Sequence, residues 1–312
     1  MLTVTVGHPE LFDALVAEGA PEGVRYVLWH LRDPLPADVD PADVDVVVVP
    51  NYLVGGRGYE RLAHLPRLRV VQLPSAGYEH ALPLLPAGLT VANGRGVHDA
   101  GTAELALALT LASQRGIADA VRAQGDRRWD PVHRSSLADR RVMVLGAGSV
   151  GSAIIRRLEA FEVDVVAVAS TARDAGGRRV HGVDELSTLL PTVDVVIVIV
   201  PLTPSTAGLV DAEFLAAMPD GALRVNVARG KVVDTDALLA ELTAGRLRAA
   251  LDVTDPEPLP AEHPLWSAPG LILTPHVGGY TDATTPRLVA LVRRQVEALV
   301  AGEQPVNVVA HT

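Results

Sequence analysis

Short Val-rich runs bounded by turn residues recur at Leu2–Val6, Val24–Trp29, Val44–Val49, Leu68–Leu73 and Leu89–Ala92. Apolar runs of this length read as strands buried on both faces. Helix-compatible stretches such as Leu11–Glu18 lie between several of them, which predicts a βαβ lobe with a parallel sheet. From Ala100 to about Gln124 the chain is apolar, rich in small residues and poor in breakers, predicting one long helix that crosses between lobes. A second series of strands is predicted at Arg141–Leu145, Val163–Ala169, Val193–Val200, Leu223–Asn226, Ala249–Val253 and Leu271–Leu273, with helical segments between most of them. This is the pattern of a second doubly wound domain. After Gly279 a further helix is predicted at Ala283–Ala301, then a short tail with a Val-rich end. The first lobe is short of helices, so this last one is expected to return to it. The domains expected are therefore a discontinuous one of residues 1–99 and 283–312, and an inserted one of residues 100–282. The Pro-rich pieces Pro34–Pro41 and Pro256–Pro264 read as loops, and the chain has no solenoid-type repeat.

Composition agrees with an α/β class: 48% of the 312 residues are apolar but only 4% are aromatic, so the core must be built from Val, Leu, Ile and Ala. A formal charge of -10 argues against nucleic acid as a partner, because phosphate backbones need concentrated Lys and Arg. It does not exclude a small anionic substrate held by a few arginines. With no cysteine, disulfides, thiolate metal sites and cysteine nucleophiles are excluded, and a reducing compartment is permitted. The start does not read as a secretory signal and no apolar run approaches the ~20 residues of a membrane span, so the expectation is a cytoplasmic protein with no membrane partner.

The strand RRVMVLG runs into Gly146-Ala147-Gly148-Ser149-Val150-Gly151, followed by the helix-compatible stretch Ser152 to Ala160. This spacing suits a pyrophosphate. Gly146 permits the tight turn, Gly148 lets the backbone approach the phosphates, and Gly151 allows close packing of helix on strand. The next strand should end on an Asp or Glu for the ribose hydroxyls of NAD, but VVAVAS ends at Ser170, with Thr171 and Arg173 just beyond. A missing acid removes repulsion of a 2′-phosphate, and a guanidinium can pair with one. NADP is the preferred cofactor on this reading, with NAD, bound through Ser170, as the alternative.

A series of further motifs resembles the D-isomer-specific 2-hydroxyacid dehydrogenase family over nearly the whole chain: VQLPSAGYEH from Val71, VANGRGVHDAGTAE from Val91, the glycine turn, PLTPSTAGLV from Pro201, VNVARGKVVD from Val225, ALDVTDPEP from Ala250 and LTPHVGG from Leu273. The resemblance implies a Rossmann cofactor domain inserted into a flavodoxin-like substrate domain. It also implies that Arg229 holds the substrate carboxylate and polarises the carbonyl, and that His276 is the acid/base. Glu257 would be its acidic partner, orienting the ring and stabilising the imidazolium. The physics agrees, since a planar guanidinium can engage the adjacent oxygens of an α-keto acid together, and imidazole can serve both directions of proton transfer. By the same resemblance Ser75, Ala76 and Gly77 bind the substrate carboxylate, together with Arg229 and His276. Asp252 contacts the nicotinamide carboxamide, and Val200, Pro201, Thr206, Val227, Ala228, Gly278 and Gly279 complete the cofactor site.

The chemistry implied is hydride transfer between a nicotinamide and a small 2-keto or 2-hydroxy acid, with glyoxylate or hydroxypyruvate as examples and no metal. Substrate choice is expected to depend on first-lobe side chains including Tyr52, Tyr78 and His98. Formate dehydrogenases carry Gln in place of Glu257, and phosphite dehydrogenases need a lysine near Ser75–Gly77, whereas Lys231 is the only lysine here. A short-form phosphoglycerate dehydrogenase, the chain stopping at Thr312, is the runner-up enzyme. A nucleotide-sensing protein of the corepressor type is the alternative from another class. The resemblance also implies a homodimer packed through the cofactor domains, with Ala100–Gln124 contributing.

Overall fold

The computed structural model describes residues 1–50 and 56–312, and the chain divides into two units, Met1–His98 with Asp282–Thr312 and Asp99–Thr281. Tyr52 lies outside the described residues. The first unit contains β1 (Leu2–Val6), α1 (Pro9–Ala17), β2 (Val24–Leu28), β3 (Val44–Val48), α2 (Gly56–Glu60), β4 (Val70–Gln72) and β5 (Thr90–Ala92). The last helix, Thr284–Val300, and the last strand, Val308–His311, belong to the same unit. The sheet order is last strand-β5-β4-β3-β1-β2, parallel except where the last strand runs antiparallel on β5. On one face Leu2, Val4 and Val6 pack against Leu11 and Leu15 of α1 and Leu288, Val292 and Val296 of the last helix, whose apolar positions repeat every four residues. The other face is filled by Trp29, Val47, Val71, Tyr59 and Leu62.

The second unit runs α3 (Asp99–Arg115), α4 (Ile117–Gly125), β6 (Arg141–Leu145), α5 (Ser149–Leu158), β7 (Asp164–Ala169), β8 (Arg173–Ala175), β9 (Arg178–Gly182), α6 (Leu186–Leu189), β10 (Val195–Val198), α7 (Ala212–Ala217), β11 (Leu223–Asn226), α8 (Thr235–Thr243), β12 (Arg248–Leu251) and β13 (Leu271–Leu273). Its eight-stranded sheet has the order β13-β12-β11-β10-β6-β7-β9-β8. Alternate residues feed two cores: Met143, Leu145, Val196 and Val198 face α6, α7 and α8, while Val142, Val144, Val195 and Ile197 face α3 and α5. Burial on both faces is why these strands read as continuous apolar runs. The order reverses between β6 and β10, which leaves a crevice at their carboxyl ends where such sheets bind ligands.

Three features differ from the sequence-based expectation. The long helix is two helices, because Gly116 takes a left-handed conformation (φ 62) and the Arg134 guanidinium packs where its side chain would stand; small apolar residues continue the pattern across the break and conceal it. Neither sheet is wholly parallel. β8 and β9 form an antiparallel hairpin around Gly176-Gly177, both at positive φ, as a two-residue primed turn requires. Arg173 therefore begins an edge strand rather than lying in a plain loop, and the Val-rich tail is a strand.

Candidate active site

The glycine turn has the shape its residues dictate. Gly146 sits at φ 120, and a Cβ there would fall 2.4 Å from the Ile199 carbonyl oxygen. At Gly151 a Cβ would meet the Gly146 carbonyl oxygen, which forces glycine where α5 crosses β6. A Cβ on Gly148 would point into open space, with nothing within 4 Å. Any larger residue there would occupy that space, so the turn fits a phosphate cradle at the amino end of α5, whose first turn holds Ser149 and Val150. The Ser149 hydroxyl reaches the Asp99 carboxylate at 3.2 Å. Ser170 and Thr171 are exposed beyond β7, and the Arg173 guanidinium lies across the turn, donating to the carbonyls of Ala147 (3.2 Å) and Thr171 (3.4 Å). After β10, Val200 and Pro201 lead into a turn closed by the Thr206 hydroxyl, which donates to the Pro201 carbonyl at 2.6 Å.

Arg229, Glu257 and His276 come together from three separate segments of this unit. Arg229 follows β11 after the buried Val227 and Ala228. The Asn226 side chain clasps this bend, accepting from the Ala228 N–H at 3.1 Å and donating to the Arg229 carbonyl at 3.0 Å. A Cβ on Gly230 would lie 1.9 Å from the Thr254 carbonyl oxygen, so only glycine lets the bend press against the segment leading to Glu257. His276 Nδ1 is 2.5 Å from Glu257 Oε1. Burial pushes the Glu257 carboxyl up. The His276 hydrogen bond and charge, the Thr254 N–H and the Arg229 guanidinium outweigh it, and the carboxyl ends below the usual range. The Arg229 charge thus reaches the dyad. A cavity of about 430 Å³ opens beside the pair, walled by Leu259, Trp266 and Leu273.

His276 itself stands at φ 54, in the left-handed region. Its loop is tied to Asp252, whose carboxylate accepts from the Thr274 hydroxyl (2.6 Å) and from the N–H groups of Val277 (2.9 Å) and Gly278 (2.9 Å). Gly279 follows in the same turn. In the first unit, the Ser75–Gly77 loop is closed by the Ser75 hydroxyl on the Gly77 carbonyl (2.7 Å) and by the Asn93 amide on the Ala76 carbonyl (2.7 Å). Tyr78 packs against that unit's core.

The family model for the D-isomer specific 2-hydroxyacid dehydrogenase NAD binding domain matches residues 107–278. A glyoxylate reductase of Thermofilum pendens is 34% identical over 251 residues, covering 77% of this chain and 74% of the relative. The chain belongs to the D-isomer specific 2-hydroxyacid dehydrogenase family.

Solved structures of this 2-hydroxyacid dehydrogenase fold agree. A D-isomer specific 2-hydroxyacid dehydrogenase from Xanthobacter autotrophicus Py2, in complex with NADPH and MES, superposes with a TM-score of 0.84 at 31% identity, covering 99% of this chain and 98% of that one. An NADPH-dependent glyoxylate/hydroxypyruvate reductase from Sinorhizobium meliloti, in complex with NADP and malonate, gives 0.77 at 30% identity over 100% and 97% of the two chains. As a member of the family the protein is an NAD(P)-dependent oxidoreductase acting on the CH–OH group of 2-hydroxy acids. Sequence reasoning passed over Asn226 and Thr274, the residues that shape this dehydrogenase's two key turns. An Asn ending a buried strand just before the Arg was the available signal, since Asx side chains bond to backbone two residues on.

Proposed function

We propose that the protein reduces a small 2-keto acid of the glyoxylate or hydroxypyruvate class to the D-2-hydroxy acid with NADPH, His276 supplying the proton. The observation that carries this reading is the 2.5 Å contact of His276 with Glu257 beside the Arg229 charge. With Nδ1 held by the carboxylate, Nε2 is the nitrogen left to face a substrate oxygen. Arg229 binds the substrate carboxylate and stabilises charge developing on the carbonyl oxygen. By the family resemblance alone, backbone N–H groups of Ser75, Ala76 and Gly77 in the first unit are assigned to carboxylate binding. When bound, the nicotinamide supplies or accepts the hydride. Gly146, Gly148, Ser149, Val150 and Gly151 hold its pyrophosphate, while Val200, Pro201, Thr206, Val227, Ala228, Asp252, Gly278 and Gly279 surround the rest. Ser170, Thr171 and Arg173 take the adenosine end. The names of the relatives favour glyoxylate or hydroxypyruvate as substrate and NADP as cofactor.

The test is loss of reduced-nicotinamide absorbance with purified protein, NADPH or NADH, and a panel of glyoxylate, hydroxypyruvate, its phosphate and larger 2-keto acids. Turnover with none of them overturns the reading and favours a nucleotide-sensing role. Preference for the phosphorylated substrate favours a short phosphoglycerate dehydrogenase. Arg173→Ala is expected to weaken NADPH while leaving NADH nearly unchanged, because Arg173 lies against the turn and no carboxylate stands at Ser170. Equal effects on both cofactors in titrations would show that this arginine does not discriminate. The same reading includes a cytoplasmic homodimer. It is supported by the exposed apolar side chains of Ile117, Val121, Trp129 and Val132, with Trp129 96% exposed. Light scattering is expected to give the mass of two chains, and the mass of one would contradict it.

A further inference from the structure

Asp252 directly follows β12 and is 3% exposed. A carboxylate so buried must be fully hydrogen-bonded, and here its partners come from a single loop. Thr274 Oγ1 and the Val277 N–H converge on Oδ1, the Gly278 N–H reaches Oδ2, and the His276 N–H donates to the Asp252 carbonyl at 2.7 Å. Four donors spanning Thr274 to Gly278 thus end on one residue. Between them His276 occupies the left-handed region, which costs a side-chain-bearing residue free energy and persists only where its surroundings over-determine it. Hydrogen bonds to an ionised carboxylate are about twice as strong as neutral ones, so Asp252 is the group able to hold that conformation. Gly278 is matched to it: a Cβ there would lie 3.1 Å from Asp252 Oδ2.

We infer that Asp252 is a positioning residue for His276, clamping the loop in the left-handed bend that aims the imidazole at substrate while Glu257 holds Nδ1. This goes beyond a contact with the nicotinamide, and it rests on the reading of His276 as acid/base. The clamp fixes the backbone of the ring-bearing residue. Glu257 fixes the ring's rotation. The two act in series, so neither is effective without the other.

The experiment is a double-mutant cycle on the full-length protein, with Asp252→Asn, Glu257→Gln and the pair, reading kcat, NADPH affinity by fluorescence and thermal stability. Asn keeps the shape but turns an N–H toward one of the loop donors. The expected result is a fall in kcat of roughly 10–100-fold for Asp252→Asn, typical of an outer-shell orienting group, with NADPH affinity falling by a much smaller factor than kcat because Asn keeps a carbonyl oxygen for the nicotinamide contact. Adding Glu257→Gln then costs much less than it does in the wild type, because contacting residues are not additive. Weakened NADPH binding with kcat retained, wild-type kcat, or losses that multiply independently would each overturn the inference. If Asp252→Asn does not fold, Thr274→Val carries the same test, since it removes only the 2.6 Å hydroxyl bond. It is expected to lower kcat in the same direction with cofactor affinity intact. Retained turnover in a His276 variant would instead sink the acid/base reading itself, which separates the two failures.

Discussion

His276→Ala is expected to lower turnover by roughly 10²–10⁴, the range for removing a positioned general acid, with NADPH affinity nearly intact. The affinity should survive because the pyrophosphate turn Gly146–Gly151 and the Arg173 side chain are built by other segments. On the proposed reading the loop at His276 contributes the proton donor and little of that cradle. Replacement also tests the backbone, since residue 276 stands at φ 54 and most side chains resist that region. His276→Asn separates the two effects: Asn enters the left-handed region readily, keeps the bend, and cannot donate a proton as imidazolium does. Both variants should therefore be slow by similar factors, while the Asn variant should retain the higher melting temperature. Near-normal turnover in either would remove His276 from the mechanism.

The sheet cores were legible because buried parallel strands leave a strong mark: Val195–Val198 and the run Val142 to Leu145 are apolar on both faces. The glycine turn was legible for a steric reason, since carbonyl oxygens exclude a Cβ at Gly146 and Gly151. Edge strands left a weaker mark. Arg173–Ala175 is exposed throughout and carries no apolar alternation, so only the Gly176-Gly177 pair signalled the hairpin. The break at Gly116 was hidden because its flanks keep helical composition on both sides, and a single glycine is tolerated inside many helices. At the site, local sequence around Glu257 or His276 reads as ordinary loop, and only the ordered series of motifs singled them out. The convergence of Thr274, Val277 and Gly278 on Asp252 joins segments more than 20 residues apart, so no spacing rule exposes it, whereas the Asn226 clasp is local and left the Asx signal before Arg229.

Arg229→Lys is expected to reduce kcat/KM by roughly 10²–10³, about 2.7–4 kcal/mol, the cost of deleting one preorganised donor to a developing oxyanion. Charge is preserved in this variant, so a purely electrostatic role would predict a small loss. The geometry argues otherwise. One guanidinium nitrogen, Nη1, donates to the Ala228 carbonyl at 2.7 Å, which fixes the plane of the fork. A lysine has a compact ammonium on a flexible stem, with no planar fork to anchor at the carbonyl and still address two substrate oxygens. The bend should remain, because Asn226 holds the backbone of residues 228 and 229 without using the Arg229 side chain. The loss should therefore appear in both KM, through the carboxylate, and kcat, through the carbonyl oxygen. The residual carboxylate of Glu257 would also lose part of the field that favours its ionised form, so the acid limb of its pH profile should move upward in Arg229→Gln but less in Arg229→Lys. An unchanged kcat/KM in Arg229→Lys, measured with saturating NADPH, would show that position 229 contributes charge alone.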